Sequence, residues 1–257
     1  MNGVPEILQF SQDFLFLNFI VFLRVGPIIA LFPGFGEETV SIRIKLTLAL
    51  AFTLIVAPAV GPDLAATLQN PPHIMRLILA ETAIGLLMGI GIRLFLLALQ
   101  TAGSIAAQST SLSQILGGAS ITPLPAMGHV LVTGAIALAM ILDLHVRLAE
   151  MAVLSYRVFP VAQLPEAAIL SQWGVRQVAN AFAFAFTLSA PFVLVSVLYN
   201  LTLGIINRAM PQLMVVFVGA PAITATGLFM LMLLAPMMLS IWVEALHGFM
   251  ANPFGGG

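Results

Sequence analysis

Charged side chains set among apolar neighbours are where chemistry would have to come from in this sequence. Arg24 interrupts the apolar run Phe14 to Phe32, two residues before Gly26-Pro27, and Glu81 and Arg93 stand inside Ile74 to Leu99. A charge in hydrocarbon costs about 2.5 kcal/mol or more on insertion scales, so each needs a partner or a task. Arg24 could pair with a carboxylate of another helix or hold carbonyls freed near Pro27. Glu81, Gly85, Gly89 and Arg93 recur every four residues, which makes one helical stripe carrying a GxxxG notch for a second helix. Glu81 and Arg93 would lie about 18 Å apart along that helix, so each must find its partner elsewhere. Glu81 suits a proton-responsive carboxyl or a hydrogen-bonded interface acid. Asp143, Arg147 and Glu150 follow at i, i+4 and i+7 with His145 between them. Asp143 and Arg147 fit an i,i+4 ion pair, while Asp143 beside His145 is the one Asp/His neighbourhood able to relay protons.

Enzymatic constellations are missing. The four histidines, His73, His129, His145 and His247, are scattered without a metal-binding spacing, and there is no cysteine for a thiolate or a disulfide. Gly89-Ile90-Gly91 lacks the third glycine and the strand of a dinucleotide motif, and no phosphate-binding loop occurs. The reading is of a non-enzyme without cofactor or metal.

The elements that position these charges follow from composition. Charged residues are 7% and hydrophobic residues 60% of the 257 positions, too few charges to clothe a soluble surface, which carries about a quarter. The chain reads as an all-α integral membrane protein in contact with lipid. A net charge of -1 without a basic cluster excludes nucleic acid as a partner. Six apolar runs are candidate helices: Phe14 to Phe32, Leu46 to Val60, Ile74 to Leu99, Val130 to Leu142, Gln177 to Asn207 and Leu213 to Val243. The last two would each be about 46 Å long as single helices, and they contain Pro191, Pro221 and Pro236. Broken helices or hairpins are expected there. Lys and Arg are divided too evenly between alternate loops to orient the chain.

From Leu94 to Leu142 there is no Asp, Glu, Lys or Arg, yet Gln100, Thr101, Ser104, Gln108, Ser109, Thr110, Ser111, Ser113 and Gln114 lead into Gly117-Gly118-Ala119-Ser120, Pro123 and Pro125. A polar, small and neutral segment suits burial among protein groups, either as the lining or plug of a passage or as a helix-packing face.

The stretch Asn200 to Pro221 carries Leu203-Gly204-Ile205-Ile206-Asn207-Arg208-Ala209-Met210-Pro211-Gln212 and then Val216-Phe217-Val218-Gly219-Ala220-Pro221. It resembles the LGLL-x-R-x-x-PQ-x-NVF-x-x-G-x-P signature of the FliR family of flagellar export-gate proteins, which is related to the T component of virulence type III secretion. Leu23-Arg24, then Pro33 with Val40, Arg43, Lys45 and Leu46, and Glu81 with Gly85, Gly89 and Thr101-Ala102-Gly103 match the family in the same order. Met214 replaces the usual Asn, Ser41 stands where Pro is common, and Asp143-Leu144-His145 stands where Asn-Gly-His is usual. Gly219 and Pro221, as in flagellar members, point to the flagellum rather than the injectisome.

The resemblance implies long helices bent into hairpins within a hetero-oligomeric gate in the bacterial inner membrane, at the flagellar basal body. One copy would join several P- and Q-type subunits, with a B-type switch subunit at the cytoplasmic opening, to pass unfolded flagellar proteins outward. It implies lining or plug roles for Gln108, Ser111, Gln114, Ile115, Leu116, Gly117, Gly118 and Ser120. Subunit packing would fall to Arg208, Pro211, Gln212, Phe217, Gly219 and Pro221. Residues 1–257 are expected to form one helical domain with a loose tail over 253–257. The competing class is a proton-coupled small-molecule transporter using Glu81, Asp143 and His145.

Overall fold

The computed structural model describes residues 3–69, 72–110, 126–164, 166–210 and 215–254. Among them there are seven α-helices and no strand: α1 (Gly3–Leu31), α2 (Ile42–Gln69), α3 (Ile74–Thr110), α4 (Ala126–Ile141), α5 (Leu144–Val158), α6 (Ala167–Ala209) and α7 (Val215–Ala251). The all-α class expected from composition is what is found. Five of the helices are long and apolar enough to cross a membrane, and α4 with α5 supplies a sixth if the pair is one broken span.

The helices outrun the apolar runs that announce them. The polar stretch Gln100 to Thr110 continues α3, and α6 begins ten residues before Gln177. A charge ends an apolar run but does not end a helix, whose hydrogen bonds are blind to side-chain polarity. The proline expectation is corrected in one respect. Pro191, Pro221 and Pro236 lie inside continuous helices, as do Pro27, Pro58 and Pro62. Each proline withholds one N–H, but an apolar environment offers the remaining backbone groups no better partner than the helix itself. The interruption falls instead at Leu142-Asp143, where Asp143 takes the left-handed conformation (φ 56°, ψ 35°) and its carbonyl starts α5 by accepting from Val146 and Arg147. Asp and Asn are the non-glycine residues best suited to that backbone.

The chain divides into two compact units. One comprises residues 1–93, 140–175 and 246–257 and the other residues 94–139 and 176–245, so α3, α4, α6 and α7 each contribute to both.

In the first unit α1 and α2 form an antiparallel hairpin. Leu17 lies against Gly61, and Phe22, Gly26 and Ala30 line one hollow with Ile42, Leu46 and Ala49. The connection is tight. Gly34 has a left-handed φ of 86°, the Gly36 amide donates to the Phe32 carbonyl, and a Cβ on Gly36 would strike the Ala30 carbonyl. Lys45 Nζ caps this turn by donating to the Gly36 carbonyl at 3.0 Å. The buried face of α1 reads Ile20, Val21, Arg24, Val25, Ile28 and Ile29, and that of α3 reads Leu77, Ala80, Glu81, Ile84, Met88 and Ile92. Both have the spacing of a core-facing helical stripe, with one charge set in each. The GxxxG notch receives α1: a Cβ on Gly85 would collide with the Arg24 carbonyl, and one on Gly89 would lie 3.0 Å from Leu31 and 3.1 Å from the Pro27 carbonyl oxygen. Pro253 and Phe254 are also seated here. Trp173 Nε1 donates to the Pro253 carbonyl at 2.9 Å, and the Phe254 ring meets Phe159 at 4.5 Å and Trp173 at 5.2 Å. Pro253 and Phe254 are therefore packed, the ring of Phe254 being covered by two other aromatic side chains.

In the second unit α4 buries Met127, Leu131, Ala135 and Ala139 at helical spacing, and α6 buries Ala185, Leu188, Ser189, Phe192 and Ser196. Helices α6 and α7 fold back on each other, since a Cβ on Gly219 would strike the Tyr199 hydroxyl and lie 3.4 Å from Leu203. Outside this core, Phe182, Phe186, Leu194, Leu198 and Leu201 of α6 are exposed, a surface suited to lipid or apolar protein.

The notch gives a direct test. Gly85→Leu should destabilise the chain by about 3 kcal/mol, the upper end of overpacking costs, because backbone cannot yield as a side chain can. Gly174→Ala, where nothing lies within 4 Å of the added carbon, should leave stability unchanged or slightly raised. Thermal unfolding of the two variants in detergent checks both.

Candidate functional site

The two opposite charges in the facing stripes of α1 and α3 meet. Arg24 Nε donates to Glu81 Oε2 at 2.7 Å and Nη2 to Oε1 at 3.1 Å, a bidentate pair with both side chains fully buried. Arg24 Nη1 donates to Ser155 Oγ at 3.1 Å and Nη2 also reaches the Phe159 carbonyl at 3.0 Å. The guanidinium carbon lies 3.8 Å from the centre of the Tyr156 ring. Glu81 Oε1 accepts in addition from the Ala162 backbone N–H at 3.0 Å. Ala162 takes a left-handed φ of 59°, which an alanine adopts only when its surroundings hold it there. The Ser155 hydroxyl itself donates to the Ala152 carbonyl at 2.6 Å.

This cluster ties α1, α3, α5 and the segment after α5 to one point. The planar fork of an arginine matches a carboxylate at two atoms and still leaves N–H groups for a hydroxyl and a carbonyl. With both carboxylate oxygens engaged, Glu81 has the surroundings of a structural acid. Arg24 has both of the roles its position suggested, a carboxylate partner and a backbone carbonyl, although the carbonyl belongs to Phe159 and not to the residues before Pro27.

Arg93 has its own partner. Its Nη1 donates to Glu37 Oε1 at 2.6 Å, with both side chains about a quarter exposed, and so ties the α1–α2 connection to α3. Asp143 and His145 do not form a relay. His145 is exposed, Asp143 makes no side-chain capping bond, and Arg147 lies 3.8 Å from Glu150 at i,i+3, not against Asp143. The left-handed turn at Asp143 serves its backbone, and its carboxylate is exposed.

In the second unit Gln108 is exposed near the end of α3, one turn beyond Ser104 and two beyond the exposed Gln100. The hydroxyls along this helix are spent locally, Thr101 on the Leu97 carbonyl and Ser104 on the Gln100 carbonyl, so the glutamines are what the stripe presents. Ser111, Gln114, Ile115, Leu116, Gly117, Gly118 and Ser120 lie outside the described residues, as do Pro211 and Gln212. Arg208 is exposed in the last turn of α6, Phe217 lies in α7, Gly219 is buried and Pro221 is exposed. Among the described residues no group of three or more His, Cys, Asp or Glu could hold a metal.

Sequence reasoning missed Ser155, Tyr156, Phe159, Ala162 and Glu37. The signal for Glu37 was a Glu-Glu pair whose two members sequence cannot separate. For the others there was none beyond an amphipathic stretch following Glu150.

Removing one member of the buried pair leaves the other uncompensated. Arg24→Met or Glu81→Met alone should cost about 3–5 kcal/mol, whereas the double replacement should be markedly milder than the sum. The yield and thermal unfolding of the three variants check the expectation, and additive losses would sink it.

Comparison with known proteins places this geometry in a family. Residues 15–249 match the family described as bacterial export proteins, family 1. The chain is similar to the flagellar biosynthetic protein FliR of Caulobacter vibrioides, with 30% identity over 227 residues, 88% of this chain and 90% of the relative. It is similar to FliR of Bacillus subtilis at 27% identity, over 82% of this chain and 83% of the relative. To FliR of Escherichia coli it is 25% identical, over 86% and 85% of the two chains. The match covers both buried charges, the α3 notch and the α6–α7 hairpin, and the chain belongs to the bacterial export proteins, family 1.

Proposed function

We propose that this chain is a non-enzymatic subunit of the flagellar type III protein-export gate in the bacterial inner membrane. It assembles with P- and Q-type membrane subunits, meets the B-type switch subunit, and helps to line and close the passage for unfolded flagellar proteins. The observation that carries this reading is the likeness to flagellar FliR proteins along nearly the whole chain.

The physical features support it. Helices of 37 and 43 residues, about 55 and 65 Å long, exceed a hydrocarbon core of roughly 30 Å, so protein neighbours must cover part of them. The exposed apolar face of α6 offers such a contact. The neutral stripe Gln100, Ser104 and Gln108, continuing into the uncharged segment 111–125, suits a passage for unfolded chains, which meet no fixed charge to trap them. Ser111, Gln114, Ile115, Leu116, Gly117, Gly118 and Ser120 belong to the closing part of that segment in this reading. Arg208, Pro211, Gln212, Phe217, Gly219 and Pro221 belong to the end of the α6–α7 hairpin that packs on partners. Proton-coupled transport is not favoured, because Glu81 is held by two bonds from Arg24 and one from Ala162.

Native mass spectrometry of the chain co-expressed with its P- and Q-type partners should give a large discrete complex holding one copy of it. A stable monomer or homodimer with the partners present would overturn the assignment. Deleting Leu116 to Ser120 should make membranes holding the complex permeable to small solutes, and unchanged permeability would remove the closing role.

A further inference from the structure

Within the first unit, α3, α5 and the end of α7 enclose a cavity of about 340 Å³. That volume is in the range of ligand sites, roughly 300–1,000 Å³. Its floor is Met88, Met151 and Met250, each 2% exposed or less. Leu154 and Phe254 wall it, and Leu154, 42% exposed, stands where it opens. Methionine side chains are unbranched and polarizable, so a floor of three adapts to a flexible apolar guest. The opening is polar and carries one charge, because Arg157 and Asn252 are exposed there. The ion pairs among the described residues are Arg24 with Glu81, Arg93 with Glu37 and Arg147 with Glu150, and Arg157 takes part in none. Its place in the last turn of α5 sets it near the negative end of that helix, the ordinary use of a cation there. That use accounts for the charge and not for the hollow beside it.

The opening also lies at the polar boundary of this unit. Helices α5 and α7 both end there, at Val158 and Ala251. Trp173, whose indole donates to the Pro253 carbonyl, stands at the same end. So does Gly91, where a Cβ would strike Phe249 and lie 3.3 Å from Trp173, and Gly91 is two residues from the partly exposed pair of Arg93 and Glu37. Tryptophan and arginine near helix ends mark the level of lipid headgroups.

We propose that this cavity holds one acyl chain of a membrane phospholipid whose phosphate is bound by Arg157, bracing α3, α5 and α7 against one another. Charge complementarity selects the occupant. A guanidinium matches phosphate oxygens at two atoms, and the apolar chamber beneath it accepts hydrocarbon, so the cavity offers the two halves of a phospholipid in their natural order. A partner helix, about 10 Å across, is too broad for a chamber of 340 Å³, and a free phosphate would leave the methionine floor uncovered. The site requires only that the chain sits in a membrane and is independent of any closing role.

The test uses membranes from cells expressing the full chain with its P- and Q-type partners, loaded with phosphatidylglycerol that carries a diazirine within one acyl chain. After irradiation and purification, peptide mass spectrometry should place the label on Met151, Leu154 or Met250. Diacylglycerol with the same chain lacks the phosphate and should label these residues about tenfold less, the weight of a charge-assisted hydrogen bond. Arg157→Gln should lower phosphatidylglycerol labelling to the same degree, while Arg157→Lys retains part of it. Arg147→Gln is the control: it removes an exposed cation ten residues earlier on α5, and labelling should stay at the wild-type level. If Arg157→Gln does not accumulate, Leu154→Trp, which fills the opening and keeps the charge, should lose the label. Equal labelling by the two probes, or wild-type labelling of Arg157→Gln, overturns the phosphate contact and the proposal with it. An unlabelled cavity, with a photoreactive amino acid at position 154 crosslinking to a partner subunit, overturns it in favour of a protein occupant. The label is read on this chain whether or not partners co-purify, so a failure of the export-gate reading is seen separately.

Discussion

The first unit depends on one ion pair. Arg24 and Glu81 are each placed where an apolar side chain would otherwise complete a core stripe, and neither charge could stay there alone. Their requirement for one another brings α1 and α3 side by side, and the fork left over on the arginine then claims Ser155 and Phe159. The close approach in turn demands Gly85, because the Arg24 carbonyl occupies the volume of any side chain there. The left-handed Ala162 follows from the same demand, since its amide completes the carboxylate. A bidentate pair favours the one register in which its four atoms meet, a use of buried charge that apolar packing does not supply by itself.

Much of this was legible in the residues. A four-residue repeat of Glu81, Gly85, Gly89 and Arg93 required a second helix in the notch, and Arg24 required an acid from another helix. That the two requirements answered each other needs only their opposite sign, yet no register legible in the residues singles out this pairing. The helix count was nearly readable, while the boundaries were not, because a charge such as Arg176 ends an apolar run without ending a helix. Helix α5 was hidden for a related reason: half exposed, with Arg147, Glu150 and Arg157 on its surface, it resembles the polar end of a membrane helix.

The two units use different means for similar ends. In the first, helices are joined by charge-assisted bonds among fully buried groups. In the second, joining is done by small residues and hydroxyls, Gly103 on Gly128, Thr110 in the hollow of Gly227 and Ser196 on Ser109, with no ion pair among its described residues. Neutral joints suit a region that continues into an uncharged segment, because a strong fixed charge nearby would impose its field on whatever passes.

The span of chain between the members of the buried pair also governs how the protein is made. Arg24 leaves the ribosome 57 residues ahead of Glu81 and 131 ahead of Ser155. At roughly 5–20 residues per second, the carboxylate arrives about 3–11 s after the arginine and the hydroxyl about 7–26 s after it. During that interval α1 carries an unmatched cation among apolar side chains, at a cost of about 2.5 kcal/mol or more. That cost is lifted only when α3 is delivered, so the pairing of the two helices is tied to the order of their synthesis.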